Sequence, residues 1–222
     1  YISPERLLSE IDKWSKMPNI SLIAIDEAHC ISQWGHDFRP EYTNLASLKS
    51  KFPSVPIMAL TATADRITRE DIIKQLQIDD AKVFISSFDR PNLSLSVVSN
   101  LSRTDKNRYL LSFINKRIGQ SGIVYCQTRS ATEDVADLLR AHGFKAKSYH
   151  AGMTNDVRQR IQQEFLNDDV EIICATIAFG MGIDKSNIRW IVHYNMPKNI
   201  ECYYQEIGRA GRDGLPADAL FI

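Results

Sequence analysis

Short, fully apolar runs alternate with amphipathic stretches along most of this chain. Leu22–Ile25 and Ile57–Leu60 are four-residue runs of the kind that form strands buried on both faces of a parallel sheet. The pattern after them predicts a helix from about Ile67 to Leu76, with Thr68 and Asp71 near its start, and a further strand at Val83–Ser86. Ser87-Phe-Asp-Arg-Pro-Asn92 then breaks the regularity, because Pro91 restricts both itself and Arg90. Beyond that break the alternation is clearer. Ile123–Cys126, Lys147–His150, Val170–Ala175 and Trp190–His193 read as strands, and Ala217–Ile222 as a last one cut short by the chain end. Ser130-Ala-Thr-Glu133 has the form of a capping box, with Ser130 as the cap of a helix whose apolar positions are 131, 135, 138 and 139. A second helix carries Val157, Ile161 and Phe165 on one face, and Asn199–Ala210 reads as a third. Strand–helix–strand repetition implies right-handed crossovers and parallel sheets. The expected fold is therefore α/β in two units, residues 1–87 and 88–222, with the boundary at the Pro91 break.

Composition narrows the class without naming a partner. The 222 residues are 44% hydrophobic and 24% charged, ordinary for a globular protein with real cores. Basic and acidic side chains balance at 27 each, so any nucleic-acid binding must come from local patches. Cys30, Cys126, Cys174 and Cys202 are far apart and form no CxxC or Cys/His cluster, which suits reduced thiols of a cytosolic protein and no zinc site. No apolar run approaches membrane-spanning length, and no membrane association is expected. The chain starts with Tyr1, so it is read as a piece of something longer.

Candidate chemistry gathers at strand ends. Asp26 and Glu27 close the first apolar run, where ligands of open α/β sheets bind. An aspartate there can hold the shell of a Mg²⁺ ion, and a neighbouring glutamate can orient and deprotonate an attacking water. Thr61-Ala-Thr63 follows the second run, either as a phosphate-site contact or as an ordinary turn with Thr63 capping. Ile31–Arg39 interleaves Trp34 and Phe38 with His36 and Arg39, which suits base stacking and phosphate contact. The alternative is that these aromatics fold back into the core. In the second unit Arg129 follows a strand and can hold a backbone phosphate. Ala175–Asp184 is a strand running into a loop whose Gly180 and Gly182 permit close backbone approach. Gln205-Glu-Ile-Gly-Arg-Ala-Gly-Arg212 places Arg209 and Arg212 on neighbouring positions of a helix end, a fixed donor fork suited to γ-phosphate charge.

Together these segments resemble the helicase core of superfamily 2, and specifically RecQ-type DNA helicases. Asp26-Glu-Ala-His29 is similar to motif II, Thr61-Ala-Thr63 to motif III, and Tyr125–Arg129 to motif IV. Thr176–Asp184 resembles motif V and Gln205–Arg212 motif VI. The most specific element is Gln33-Trp-Gly-His-Asp-Phe-Arg39, which resembles the family's aromatic-rich loop. The resemblance implies two RecA-like parallel-sheet domains, the first incomplete at its N-terminus, with ATP between them and single-stranded DNA crossing both. It implies 3′–5′ tracking with unwinding of duplex DNA. Asp26 would organise Mg²⁺ and Glu27 would be the general base. His29, Thr61, Thr63 and Asp184 would couple nucleotide to DNA. Trp34, Phe38, Arg39, Arg129 and Thr176 would meet the nucleic acid, and Arg209 and Arg212 the γ-phosphate, with Gln205 nearby. The implied compartment is the cytoplasm, at the nucleoid in a bacterium, or the nucleus in a eukaryote.

Ser186 and Ile207 are small departures from the family pattern, where proline and a small hydroxyl residue are frequent. A larger one is the P-loop, G-x-x-x-x-G-K-[ST], since none of the ten glycines precedes a lysine. The expectation is that this chain alone binds ATP poorly and turns over negligibly. Two alternatives remain at this level: an RNA-directed motor of the same superfamily, and a binding module without catalysis.

Overall fold

The computed structural model describes every residue except Pro18, His36, Phe88, Ile177, Ala178, Gly180, Met181 and Gly182. The chain divides into two compact units, Tyr1–Ser87 and Phe88–Ile222.

The first unit opens with two short helices, α1 (Pro4–Ser9) and α2 (Ile11–Trp14). Strand β1 (Ile23–Ile25) leads through a 3-10 turn, Ala28–Ile31, to helices α3 (Pro40–Thr43) and α4 (Leu48–Lys51). Strand β2 (Ile57–Ala59) pairs parallel with β1, Ile25 opposite Ala59, and helix α5 (Arg66–Leu76) follows. Ile25, Ala28, Ile31, Leu48, Phe52, Ile72 and Leu76 form its core. The strand expected at Val83–Ser86 does not form: residues 81–87 lack regular structure and Phe84 is 89% exposed. A β-branched, apolar run becomes a strand only where a neighbour accepts its backbone hydrogen bonds, and none of the described strands does so.

The second unit is a six-stranded, wholly parallel sheet. Its elements in chain order are β3 (Leu93–Val97), α6 (Arg103–Asn115), β4 (Gly122–Tyr125), α7 (Arg129–Ala141), β5 (Ala146–Tyr149) and α8 (Asn155–Leu166). Then come β6 (Ile172–Ala175), β7 (Trp190–His193), α9 (Ile200–Ile207) and β8 (Ala217–Phe221). The strand order is β3-β8-β7-β4-β6-β5. Alternate residues of each central strand serve opposite faces. Val124, Cys174, Trp190 and Val192 pack with Leu110 and Ile114 of α6 and Val135 and Leu139 of α7. Ile123, Ile173 and Ile191 pack with Ile161 and Phe165 of α8 and with Phe179. Gly122 is required in β4, because a Cβ there would lie 2.1 Å from the Trp190 ring.

Three expectations need correction here. Thr128, not Ser130, caps α7: its hydroxyl accepts the Ala131 amide, and Ser130 lies inside the helix. A threonine in extended backbone just before the first helical residue outcompetes a serine already in the turn. The turn after β2 is capped by Asp65 on Thr68, not by Thr63. Helix α9 stops at Ile207, so Arg209 and Arg212 sit in the turn beyond it rather than on its last helical positions. Gly208 and Gly211, the latter at φ 59°, let the chain leave the helix there. Strand β3 and helix α6 add to the expected elements, and Leu93-Ser-Leu-Ser-Val97 alternates with the period of a strand.

Candidate functional site

In the first unit the chemistry sits where β1 and β2 end side by side. Leu60 donates its amide to the Ile25 carbonyl (2.8 Å), and Ala28 donates to that of Leu60 (2.9 Å). These two bonds bring the acidic pair and the Thr61–Thr63 segment together. Asp26 and Glu27 are both exposed. Asp26 Oδ1 accepts the Glu27 amide at 2.9 Å, which fixes the carboxylate at the strand end. Glu27 adopts φ 51°, ψ 41°, a left-handed conformation that costs a non-glycine residue energy and turns the backbone sharply into the 3-10 turn. Its Oε2 lies 3.4 Å from His29 Nδ1. The buried His29 shares a hydrogen bond between Nδ1 and Thr61 Oγ1, 2.9 Å, and Thr61 Oγ1 accepts the Thr63 amide at 3.2 Å. Glu27, His29, Thr61 and Thr63 thus form one connected chain.

The aromatic loop is attached to this chain through Gly35. A Cβ at position 35 would stand 2.3 Å from the His29 carbonyl oxygen, so only glycine lets the loop close on His29. Arg39 donates its amide to the Cys30 carbonyl (2.9 Å), closing the loop's far end. Trp34 is 74% exposed and Phe38 36%, so neither has folded into the core. The Arg39 guanidinium bonds Asp37 at 2.9 Å, which holds it firmly protonated. Burial pushes the nearby Cys30 thiol up to about 11, leaving it an inert packing residue. His36 lies outside the described residues.

In the second unit, Arg129 and Thr176 follow the neighbouring strands β4 and β6. Arg129 is exposed at the start of α7, and its guanidinium lies against Gly152. Thr176 is half-buried and donates its amide to the Tyr149 carbonyl. Gly180 and Gly182 lie outside the described residues. Arg212 Nη1 donates to the Ile183 carbonyl at 3.1 Å and lies 3.6 Å from the fully exposed Asp184. Arg209 is half-buried beside Tyr125; burial raises the Tyr125 phenol's pKa and the guanidinium draws it partly back. Gln205 lies on the last turn of α9. Sequence reasoning missed the anchor of that helix. Glu206 Oε2 meets His193 Nε2 of β7 at 2.6 Å, with both side chains buried and the Tyr125 ring stacked on the imidazole at 5.4 Å. Nothing in the sequence pairs residues from a strand and a later helix, but a glutamate inside an arginine-rich motif and a histidine ending an apolar run were visible signals.

The donor set suits one hard cation. Among the described residues no three His, Cys, Asp or Glu side chains gather as a metal cage. Asp26 offers an exposed carboxylate with one oxygen engaged by a backbone amide, the single protein oxygen that Mg²⁺ commonly takes beside phosphates and water. No helix among the described residues is long and apolar enough to cross a membrane.

Comparison with known proteins finds one helicase family model matching within each unit. Residues 1–72 match the DEAD/DEAH box helicase family, and residues 105–214 the helicase conserved C-terminal domain. The "ATP-dependent DNA helicase RecQ" of Pasteurella multocida is 51% identical over all of this chain, which covers 35% of that protein. The protein of the same name from Haemophilus influenzae is 50% identical, again over the whole chain and 36% of its own length. The chain thus spans about a third of these curated relatives. Among solved structures, the L327V variant of S. cerevisiae Dbp5 bound to Gle1 H337R and IP6 aligns with TM-score 0.80 at 18% identity, covering 99% of this chain and 57% of that one; this is a likeness of fold. With two helicase families matched in order and relatives at half identity from end to end, the chain belongs to the RecQ-type branch of the superfamily 2 helicases.

Proposed function

We propose that this chain is the central part of an ATP-driven 3′–5′ DNA helicase that couples ATP hydrolysis to movement along single-stranded DNA and to duplex unwinding. The observation that carries this reading is the continuous linkage in the first unit. The acidic pair reaches His29, His29 reaches Thr61, and Gly35 seats the exposed aromatic loop on the His29 carbonyl. Such a linkage lets occupancy of the loop by a nucleic acid bear on the geometry of the hydrolytic carboxylate.

In this reading Asp26 holds Mg²⁺, which when bound would screen the charge on the transferring phosphate. Glu27 orients and deprotonates the attacking water. His29, Thr61, Thr63 and Asp184 transmit the nucleotide state. Trp34 and Phe38 stack on bases, and Arg39, Arg129 and Thr176 meet the backbone. Arg209 and Arg212 stabilise the growing γ-phosphate charge, with Gln205 alongside. The P-loop belongs to no part of this sequence, so the 222 residues alone should hydrolyse ATP negligibly. The proposed setting is a DNA-associated one.

The test is ATP hydrolysis by the full-length protein with and without single-stranded DNA. Strong stimulation that disappears in Glu27→Gln, while nucleotide still binds, is the expected result. Trp34→Ala should lose stimulation more than basal turnover; normal stimulation there would remove the sensor role. Competition by single-stranded RNA as effective as by DNA would redirect the reading to an RNA motor. No hydrolysis under any condition would leave a binding module.

A further inference from the structure

The break at residues 87–92 looks in sequence like a connector, but within the second unit it is bonded to the turn that carries Arg209 and Arg212. Arg90 Nη2 donates to the carbonyls of Ala210 (3.0 Å) and Gly211 (2.9 Å), and Nη1 to that of Gly208 (3.4 Å). Asn92 Nδ2 donates to the carbonyls of Gly211 and Leu215, each at 2.9 Å, and its Oδ1 accepts from Arg90 Nε at 3.4 Å. Two side chains from one short segment thus hold four carbonyls of the turn. They interleave with the two arginines, since the held residues are 208, 210, 211 and 215.

Packing leaves the turn little freedom. Gly211 has φ 59°, and a Cβ there would lie 2.5 Å from Asn92 Nδ2 and 2.8 Å from the Leu215 carbonyl oxygen. The Gly211 amide is itself spent on the Ile188 carbonyl at 2.9 Å. A guanidinium is the side chain whose planar fork can serve several carbonyls at once. Spending such a half-buried cation on backbone carbonyls fixes the path of the chain to which they belong.

We propose that Arg90 and Asn92 are positioning residues for the arginine turn. They set the directions in which Arg209 and Arg212 project, without touching nucleotide themselves. This inference rests on the reading of those arginines given above. A lysine at 90 supplies the charge but not the fork, so it should restore only part of the effect.

The experiment uses the full-length protein with Arg90→Gln, Arg90→Lys and Asn92→Ala, beside wild type and Glu27→Gln. DNA-stimulated kcat should fall by roughly 10- to 100-fold in Arg90→Gln, the scale of a small misplacement of a catalytic group. Arg90→Lys should fall between, and Asn92→Ala should lose less. KM for ATP and the affinity for single-stranded DNA should stay within about twofold, which marks loss in the transition state rather than in binding. Amide exchange should quicken across residues 208–215 and stay slow in β4, β6 and β7. Unchanged kcat with a loosened turn would overturn the proposal, as would unchanged exchange at 208–215 or loosening of the whole sheet. A wild-type protein without hydrolysis would overturn the functional reading itself, and the positioning role with it. Failure confined to the Arg90 and Asn92 variants overturns the clamp alone.

Discussion

The two units hold their chemistry in different ways. In the second, the three central strands β4, β6 and β7 are buried at every position, with helices on both faces, and the arginine turn is tied down by a buried His–Glu pair and the Arg90 fork. In the first, the acidic pair follows one of two three-residue strands, and apolar side chains on and beside these strands stand out: Leu22, Met58 and Leu60 are each nearly half exposed. A sheet gains stability from neighbours on both edges and cover on both faces, so within these 222 residues, about a third of the length of the curated relatives, the smaller sheet has less to lose by opening. The carboxylates and the sensing loop therefore rest on a smaller core, on local hydrogen bonds and on one glycine contact. The arginines rest on a core.

The comparison predicts unequal costs for disturbing each foundation. The largest effect belongs to Trp190, fully buried beneath Gly122 and edge-on to Phe113 at 6.0 Å. Trp190→Ala should cost about 3–5 kcal/mol by lost burial and the cavity left behind. Urea denaturation followed by circular dichroism would report it, with exchange in β4 and β7 quickening. A loss below about 1 kcal/mol would mean that this core repacks easily, and the contrast between the units would fail.

Gly35→Ala should be smaller, about 1–3 kcal/mol, because the added methyl meets backbone on a loop that can shift. The change should surface locally, as faster amide exchange from Trp34 to Arg39. In the full-length protein, stimulation by single-stranded DNA should fall further than basal turnover. If Gly35→Ala keeps both its stability and its stimulation, the loop is not seated through His29 and the linkage in the first unit is broken as an argument.

Much of the second unit was legible because three of its strands, β4, β6 and β7, are nearly uninterrupted apolar runs. The expected Trp190–His193 coincides with β7, while the equally buried β4 and β6 differ from their expected bounds by one or two residues at an end. Val83–Ser86 has the same composition, yet forms no strand, because strand formation needs a partner that composition cannot supply. The candidate residues were legible as types at strand ends. Their connections were not: the Glu206–His193 pair and the Arg90 contacts join residues 13 and about 120 positions apart, through side chains whose own segments look like helix surface and linker.

The smallest prediction concerns helix caps, since the first unit holds one that titrates, at α5, beside the Ser3 cap of α1. In the second unit α6, α7 and α9 are capped by Ser102, Thr128 and Asn199, none of which titrates in the acid range. In the first, α5 is capped by Asp65, whose carboxylate accepts the Thr68 amide at 2.8 Å just beyond the Thr61–Thr63 segment. That backbone bond, with the Thr68 hydroxyl second, holds the Asp65 pKa below the ordinary aspartate value of 3.8. A carboxylate depressed in the folded state contributes stability above its unfolded pKa and loses it as pH falls through the folded one. The cap of α5 should therefore weaken below about pH 4, while those of α6, α7 and α9 keep their bonds. Asp65 is exposed, so the effect is confined to the first turn and is best read as the Thr68 amide's exchange and the Asp65 carboxyl shift in an NMR titration. Asp65→Asn keeps an acceptor and should abolish the pH dependence of that amide. An Asp65 titrating at or above 3.8 would show that the cap bond does not persist in solution, and that the first unit is looser at its chemical end than the contrast with the second already implies.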